Sequence, residues 1–271
     1  MNRSNRDFVK IFQNIALGIG SYLIMTTPVF AQTTSSNSAT APLPITIEAN
    51  DSLEWNQTDG TYIAMGDAYV EQGQANISAS HIIANYATEG ETRDITKVTA
   101  TGSVTYVEGD NTAKGDKLDY NLTSNLYVLT GKNASVTGPK GSMTATKSIT
   151  YDSIDNNNRK VTAIGKAHYK DSNGRNVFGD KLIAYIGADG TLKTIDAYNN
   201  TKVITAQGTV ATADKLNYIA NTSLANLDGN VEITDKENIM RGARAEVDFK
   251  NEISKMISGP TGKRVTGILT P

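Results

Sequence analysis

One short pattern recurs along most of this chain and sets its architecture. A small residue, then Asp or Ser, one variable position, an aliphatic residue, another variable position and an aromatic appears as Gly115-Asp-Lys-Leu-Asp-Tyr120, Asn50-Asp-Ser-Leu-Glu-Trp55, Thr146-Lys-Ser-Ile-Thr-Tyr151, Ala213-Asp-Lys-Leu-Asn-Tyr218 and Arg244-Ala-Glu-Val-Asp-Phe249. Two further copies, ending in Tyr86 and Tyr185, carry two extra residues and one extra residue before the aromatic. The aliphatic anchors are Leu53, Ile82, Leu118, Ile149, Leu182, Leu216 and Val247, spaced 29, 36, 31, 33, 34 and 31 residues apart. A fixed period of this size marks stacked units that bury a common core.

A second mark, at Gly66, Gly102, Gly131, Gly165, Asn200 and Gly229, stands 16 to 18 residues before each of the last six anchors. Each mark opens an alternating stretch such as Gly102-Ser-Val-Thr-Tyr-Val107. Turn-forming clusters such as Glu108-Gly-Asp-Asn111 separate mark from anchor, and others such as Asn121-Leu-Thr-Ser-Asn125 follow the aromatic. Each unit therefore reads strand, turn, strand, turn. Two-residue alternation rich in Val, Ile, Thr and Tyr specifies half-buried strands, and the connections are too short for a crossover helix. An all-β chain with mainly antiparallel sheets follows.

The ends read differently. In Met1 to Ala31, Arg3, Arg6 and Lys10 precede a largely apolar stretch that closes on Val29-Phe-Ala31, the pattern of a cleaved secretory signal. The rival, a retained anchor, is disfavoured because Gln13, Asn14, Gly18, Gly20 and Pro28 interrupt the stretch, whereas a spanning helix wants about 20 apolar residues. Gln32 to Pro44, rich in Thr, Ser, Asn and Ala, is a flexible leader. From Ile45 to Pro271 the repeats run on without a linker, as one domain.

The chain carries 26 Lys+Arg against 28 Asp+Glu; without the signal's three basic residues and Asp7 the balance is 23 against 27, or −4. No basic stripe for nucleic acid is present. With no Cys and two His, neither disulfides nor a zinc or transition-metal centre has its material, and no cofactor is expected. The recurring Asp51, Asp116, Asp180 and Asp214 are one or two repeats apart, so they read as turn chemistry rather than as a carboxylate pair or calcium site. Lacking a nucleophile-base constellation or a phosphate-cradling glycine loop, the sequence reads as that of a non-enzyme.

Counting outward from the marks in steps of two gives an inward face: Tyr62, Ala64, Val98, Ala100, Tyr127, Leu129, Val161, Ala163, Ala225 and Leu227 on one side, Ala68, Val70, Val104, Tyr106, Ala167, Tyr169, Val231 and Ile233 on the other, with Ala134 and Val136 offset by one. The anchors and aromatics Leu118, Tyr120, Ile149, Tyr151, Leu216, Tyr218, Val247 and Phe249 complete the lining. Packed to ordinary density this is a dry core; its many alanines and its aromatic ladder equally suit an interior with room for elongated apolar chains.

Several segments carry a family likeness. The strand Gly229 to Thr234, the returns Gly115 to Tyr120 and Ala213 to Tyr218, the step Val128-Leu-Thr-Gly131 and the closing Gly262-Lys-Arg-Val-Thr-Gly-Ile-Leu-Thr-Pro271 resemble the LptA/OstA family of periplasmic lipopolysaccharide transport proteins. The resemblance covers Ile45 to Pro271 and implies an open, V-shaped antiparallel β-jellyroll built from stacked units of about 33 residues. It implies a periplasmic carrier whose apolar groove shields lipid A acyl chains between the inner and outer membranes. The lipid-binding residues would be Val104, Tyr106, Leu118, Tyr120, Leu129, Ile149, Tyr151, Leu216, Tyr218, Val231 and Ile233. The implied partners are lipopolysaccharide, an inner-membrane LptC-type jellyroll at the N-terminal edge, the N-terminal jellyroll of an outer-membrane LptD-type translocon at the C-terminal edge, and further copies of the chain head to tail. The strand-like ends Ile45 to Ala49 and Arg264 to Leu269 would be the joining edges. With about seven anchors, this chain is longer than the family pattern. The alternatives are an anchored LptC-like component, or an extracellular β-solenoid carbohydrate-active enzyme or adhesin; the latter calls for clustered carboxylates or an inserted loop, neither of which the sequence shows.

Overall fold

The computed structural model describes residues 44–89, 93–153, 158–188, 190–259 and 264–270. The expected signal, its cleavage point, the leader up to Leu43, and Gly262, Lys263 and Pro271 of the closing motif lie outside them.

The described residues form an 18-stranded sheet in which every pairing is antiparallel. The chain begins with β1 (Thr46–Glu48), β2 (Ser52–Asn56), β3 (Thr61–Gln72), β4 (Ala75–Tyr86), β5 (Ile95–Glu108), β6 (Asn111–Asn121), β7 (Leu126–Thr130) and β8 (Ala134–Gly138). It continues through β9 (Gly141–Ala145), β10 (Ser148–Ser153), β11 (Asn158–Asp171), β12 (Asn176–Gly187) and β13 (Leu192–Ile204). The chain closes with β14 (Val210–Ile219), β15 (Leu224–Asp235), β16 (Asn238–Asp248), β17 (Ile253–Ile257) and β18 (Thr266–Ile268).

The long strands are folded across their middles. Register breaks fall between Met65 and Ala68, Thr101 and Val104, Ile164 and Ala167, Tyr198 and Thr201, and Asp228 and Val231. At each break two consecutive residues have positive φ: Gly66-Asp67, Gly102-Ser103, Gly165-Lys166, Asn199-Asn200 and Gly229-Asn230. Two residues thus oppose one on the returning strand, the geometry of a bulge, which bends a strand and raises its twist. Five of the six marks seen in the sequence are therefore corners, and the sixth, Gly131, lies in the connection between β7 and β8. In one unit the corner begins at Asn199, not Asn200.

Because the corners align, the sheet divides into two leaves. Leaf 1 runs β2-β3-β4-β5-β6-β7-β10-β11-β12-β13-β14-β15-β16-β17, using the portions of the long strands on one side of the corners. Leaf 2 runs β1-β3-β4-β5-β6-β8-β9-β11-β12-β13-β14-β15-β16-β18, using the other portions. Where a long strand is replaced by two short ones, one lies on each leaf: β1 and β2 flank β3, β9 and β10 flank β11, and β17 and β18 flank β16.

The core lies between the leaves as one apolar cluster. Every residue placed on the inward face by the sequence belongs to it or packs against it. Outgoing strands keep their parity through the corner, Val98 and Ala100 being followed by Val104 and Tyr106. Returning strands change parity there, so Ala113 is followed inward by Leu118 five residues on. One aromatic departs from the ladder: Leu182, Ala184 and Ile186 are buried, so the extra residue in that copy turns Tyr185 outward and Ile186 takes the inward place.

Candidate functional site

The corners come first because they fix the lining. The carboxylates that recur in the sequence each sit at a corner. Asp180 and Asp214 accept hydrogen bonds at 2.9 Å from the side-chain amides of Asn200 and Asn230, and Asp116 accepts the backbone N–H of Lys132 at 3.2 Å. A Cβ at Gly66 or Gly229 would collide with the carboxylate of Asp51 or Asp214. The acids thus secure bends spread along the sheet. Among the described residues no group of three or more His, Cys, Asp or Glu is placed to hold a metal.

From the corners the leaves carry their inward side chains into a shared interior. All eleven expected lipid-binding residues point into it, and all eleven are buried: Val104, Tyr106, Leu118, Tyr120, Leu129, Ile149, Tyr151, Leu216, Tyr218, Val231 and Ile233. Tyr106, Leu118, Leu129, Ile149 and Tyr151 wall a cavity of about 50 Å³ near the middle of the stack. The other six line none of the main cavities. A neighbouring crevice of about 100 Å³ opens between Met143 and Tyr169 of leaf 2 and Ala184 and Ile186 of leaf 1.

Aromatic contacts stiffen the middle of the interior. The rings of Tyr120 and Tyr127 stack with centroids 3.8 Å apart, and Tyr151 meets Tyr127 edge-on at 5.7 Å. Burial, followed by the neighbouring Tyr120 hydroxyl, raises the pKa of Tyr127 far above the ordinary phenol value. Burial also raises Tyr106, with Glu108 adding to the effect as it accepts the Tyr106 hydroxyl at 3.1 Å. Charge is costly in this interior, so the hydroxyls stay neutral and the site suits apolar chains rather than ions.

A larger apolar space lies elsewhere. A cavity of about 320 Å³ at the N-terminal end is walled by Ile45, Ile47, Tyr62, Ala64, Val70, Ile82, Ala84, Ile95 and Val98, with Arg93 at its margin. Tyr62, Ala64, Val70 and Val98 were legible as inward residues, but nothing in their spacing distinguished this end from the middle. A cavity of similar size at the C-terminal end, about 330 Å³, is polar, bounded by Gln207, Asp235, Lys236, Asp248 and Glu252.

Returning-strand positions in leaf 2 were missed, among them Ala75, Ile77, Ala113, Val177 and Ala211, all buried. Alternation counted backward from the preceding turn, as in Ala75-x-Ile77-x-Ala79, carries that signal.

Comparison with known proteins bears on what this interior is for. The family model for LptA/(LptD N-terminal domain) LPS transport proteins matches residues 46–157 and again 153–253. No curated protein matches the chain. Among solved structures, LptH of Pseudomonas aeruginosa, described as the LptA homologous periplasmic component of the conserved lipopolysaccharide transport device, is 14% identical, with 84% of this chain and 96% of that one covered at a TM-score of 0.23. Two successive matches that together run from residue 46 to residue 253 take in every strand from β1 to β16, and the chain belongs to the LptA/LptD N-terminal domain family of lipopolysaccharide transport proteins.

Proposed function

We infer that the protein is a periplasmic, non-enzymatic carrier and bridge for lipopolysaccharide, holding acyl chains of lipid A between its two leaves. In this reading copies join head to tail, an inner-membrane LptC-type jellyroll docks at the β1/β2 edge, and the N-terminal jellyroll of an LptD-type translocon docks at the β17/β18 edge.

The observation that carries the reading is a joint inside the chain. At mid-chain β7 pairs with β10 on leaf 1 and β8 with β9 on leaf 2, closing two split rungs against each other. The N-terminal edge repeats one side of that joint: Ile149 opposes Ala163 as Leu53 opposes Ala64, and Met143 opposes Tyr169 as Ile47 opposes Val70. The C-terminal edge repeats the other, since β17 and β18 flank β16 as β7 and β8 flank β6. In the joint Ile149 and Tyr151 are 3% and 6% exposed, while their counterparts Leu53 and Trp55 are 55% and 46% exposed. Ile253, Val265, Ile268 and Leu269 are likewise exposed at the opposite edge. Apolar side chains beside open backbone edges are the material of strand addition, and a β17/β18 edge meeting a β1/β2 edge is a heterologous contact that propagates.

The test is analytical ultracentrifugation of the mature chain over a concentration series, with lipopolysaccharide binding measured in parallel. Leu53→Lys, or deletion of residues 264–271, is expected to weaken self-association at least tenfold, in keeping with the ~1.5–3 kcal/mol carried by a buried Leu, and to leave lipid binding in place. Long oligomers persisting in both variants would locate the interface elsewhere; a chain that binds no lipopolysaccharide would end the carrier reading.

A further inference from the structure

Space between the leaves is unevenly distributed. The N-terminal cavity of about 320 Å³ contrasts with about 50 and 100 Å³ near the middle. At this end the closing strand on leaf 2, β1, is three residues long, against five in β9 at the closed middle. At the margin of the N-terminal cavity stands Arg93, in the connection between β4 and β5. The guanidinium carbon lies 4.8 Å from the centroid of the Trp55 ring and 5.9 Å from that of Tyr86. These rings are themselves fixed, because the Trp55 indole donates to the Tyr86 hydroxyl at 2.9 Å and Tyr62 packs against both, at 5.7 and 5.2 Å. None of the ion pairs among the described residues includes Arg93.

A cation held on an aromatic shelf above an apolar cavity complements one kind of molecule: an amphiphile whose acyl chain begins beside an anion. We propose that the N-terminal cavity seats an acyl chain of lipopolysaccharide and that Arg93 receives a phosphate of its lipid A. This rests on the carrier reading and adds the place where the lipid is held and the group by which it is recognised. A guanidinium beside aromatic rings keeps N–H groups to donate, and its planar fork matches two phosphate oxygens at once. A lysine would keep the charge and lose the fork.

The experiment compares diphosphoryl lipid A with its dephosphorylated form, using the full mature chain with a photo-reactive residue at Ile82 in the cavity wall or at Ile149 in the closed middle. Ile82 is expected to capture diphosphoryl lipid A. Arg93→Gln should lower affinity for that form at least tenfold and leave the dephosphorylated form unchanged, with Arg93→Lys between the two. Arg93 is exposed, so an unchanged melting temperature will certify the fold of both variants. Equal binding of the two lipids by Arg93→Gln and wild type overturns the proposal, as does capture of a second protein chain in place of lipid at Ile82. Capture from Ile149 with no phosphate discrimination removes this site and leaves the carrier standing; capture from neither position in the wild type removes both.

Discussion

Arg175 reaches across the interior to Tyr218: its Nη1 donates a hydrogen bond of 2.6 Å to the phenolic oxygen, joining the leaf 2 rim after β11 to β14 on leaf 1. The same guanidinium pairs through Nε with Asp171 at 2.6 Å, and the other Asp171 oxygen accepts the backbone N–H groups of Asn173 and Arg175. Asp171, with an 8% exposed side chain, is thereby neutralised and the rim turn is fixed.

This clasp predicts an ordered pair of effects. Tyr218→Phe deletes one hydrogen bond to a charged group and should cost about 1.5–3 kcal/mol. Arg175→Ala leaves the Asp171 carboxylate nearly buried without its cation, and should cost about 3–5 kcal/mol. Urea denaturation will check the order; equal losses in the two variants would mean that Asp171 does not depend on Arg175.

The corners predict a coupled pair. Gly229 has φ of 81°, and an added Cβ would meet the Asp214 carboxylate. Gly229→Ala should therefore destabilise by about 2–4 kcal/mol, combining backbone strain with overpacking. Replacing Asp214 with Ala as well removes the obstructing carboxylate, so the double variant should be more stable than the sum of the single losses requires, by at least ~0.5 kcal/mol. Additive losses would show that the strain resides in the backbone alone.

Alkaline pH should loosen the interior. Burial is the leading cause that pushes Tyr151 and Tyr169 up to about 12, with Asp171 adding to the rise of Tyr169. A folded pKa above the unfolded value near 10 means that the folded state holds the proton more tightly, so this contribution is complete below pH 10 and disappears as pH rises through 12. Each tyrosine accounts for about 2–3 kcal/mol across that window. The urea midpoint should fall steadily from pH 10 to 12 and tyrosinate absorbance should rise with unfolding; a flat midpoint over this range would refute the shift.

Strand periodicity made the inward face legible residue by residue, because a side chain two positions from Val104 or Leu118 has no choice of face. What was lost depended on contacts between distant positions. Asn199 and Asn200 are indistinguishable as turn formers, and only the opposing strand shows that the bend begins at Asn199. That one-residue slip hid Ile195 and Ala197, both fully buried. The interval from Leu182 to Tyr185 is odd, so the aromatic and the anchor point to opposite faces, and Ile186, not Tyr185, continues the inward face from Leu182. Cavity volume left no trace in the pattern, because Ala64 and Ala163 read alike while their surroundings differ: Ala64 walls the 320 Å³ space and Ala163 does not. Trp55 and Arg93 are 38 positions apart and meet only because β3 and β4 bring Tyr62 and Tyr86 between them.

Each rung of the two leaves pairs only with the rungs beside it, so the stack is in effect one-dimensional. Opening in such a system starts at the ends and works inward, giving amide hydrogen exchange that is fast in β1, β2, β17 and β18 and progressively slower toward β7 and β10. The surfaces that offer themselves for joining are thus also the first to fray. A neighbour that pairs with them makes a terminal rung an internal one, so assembly would raise the protection of the ends while leaving the centre as it was.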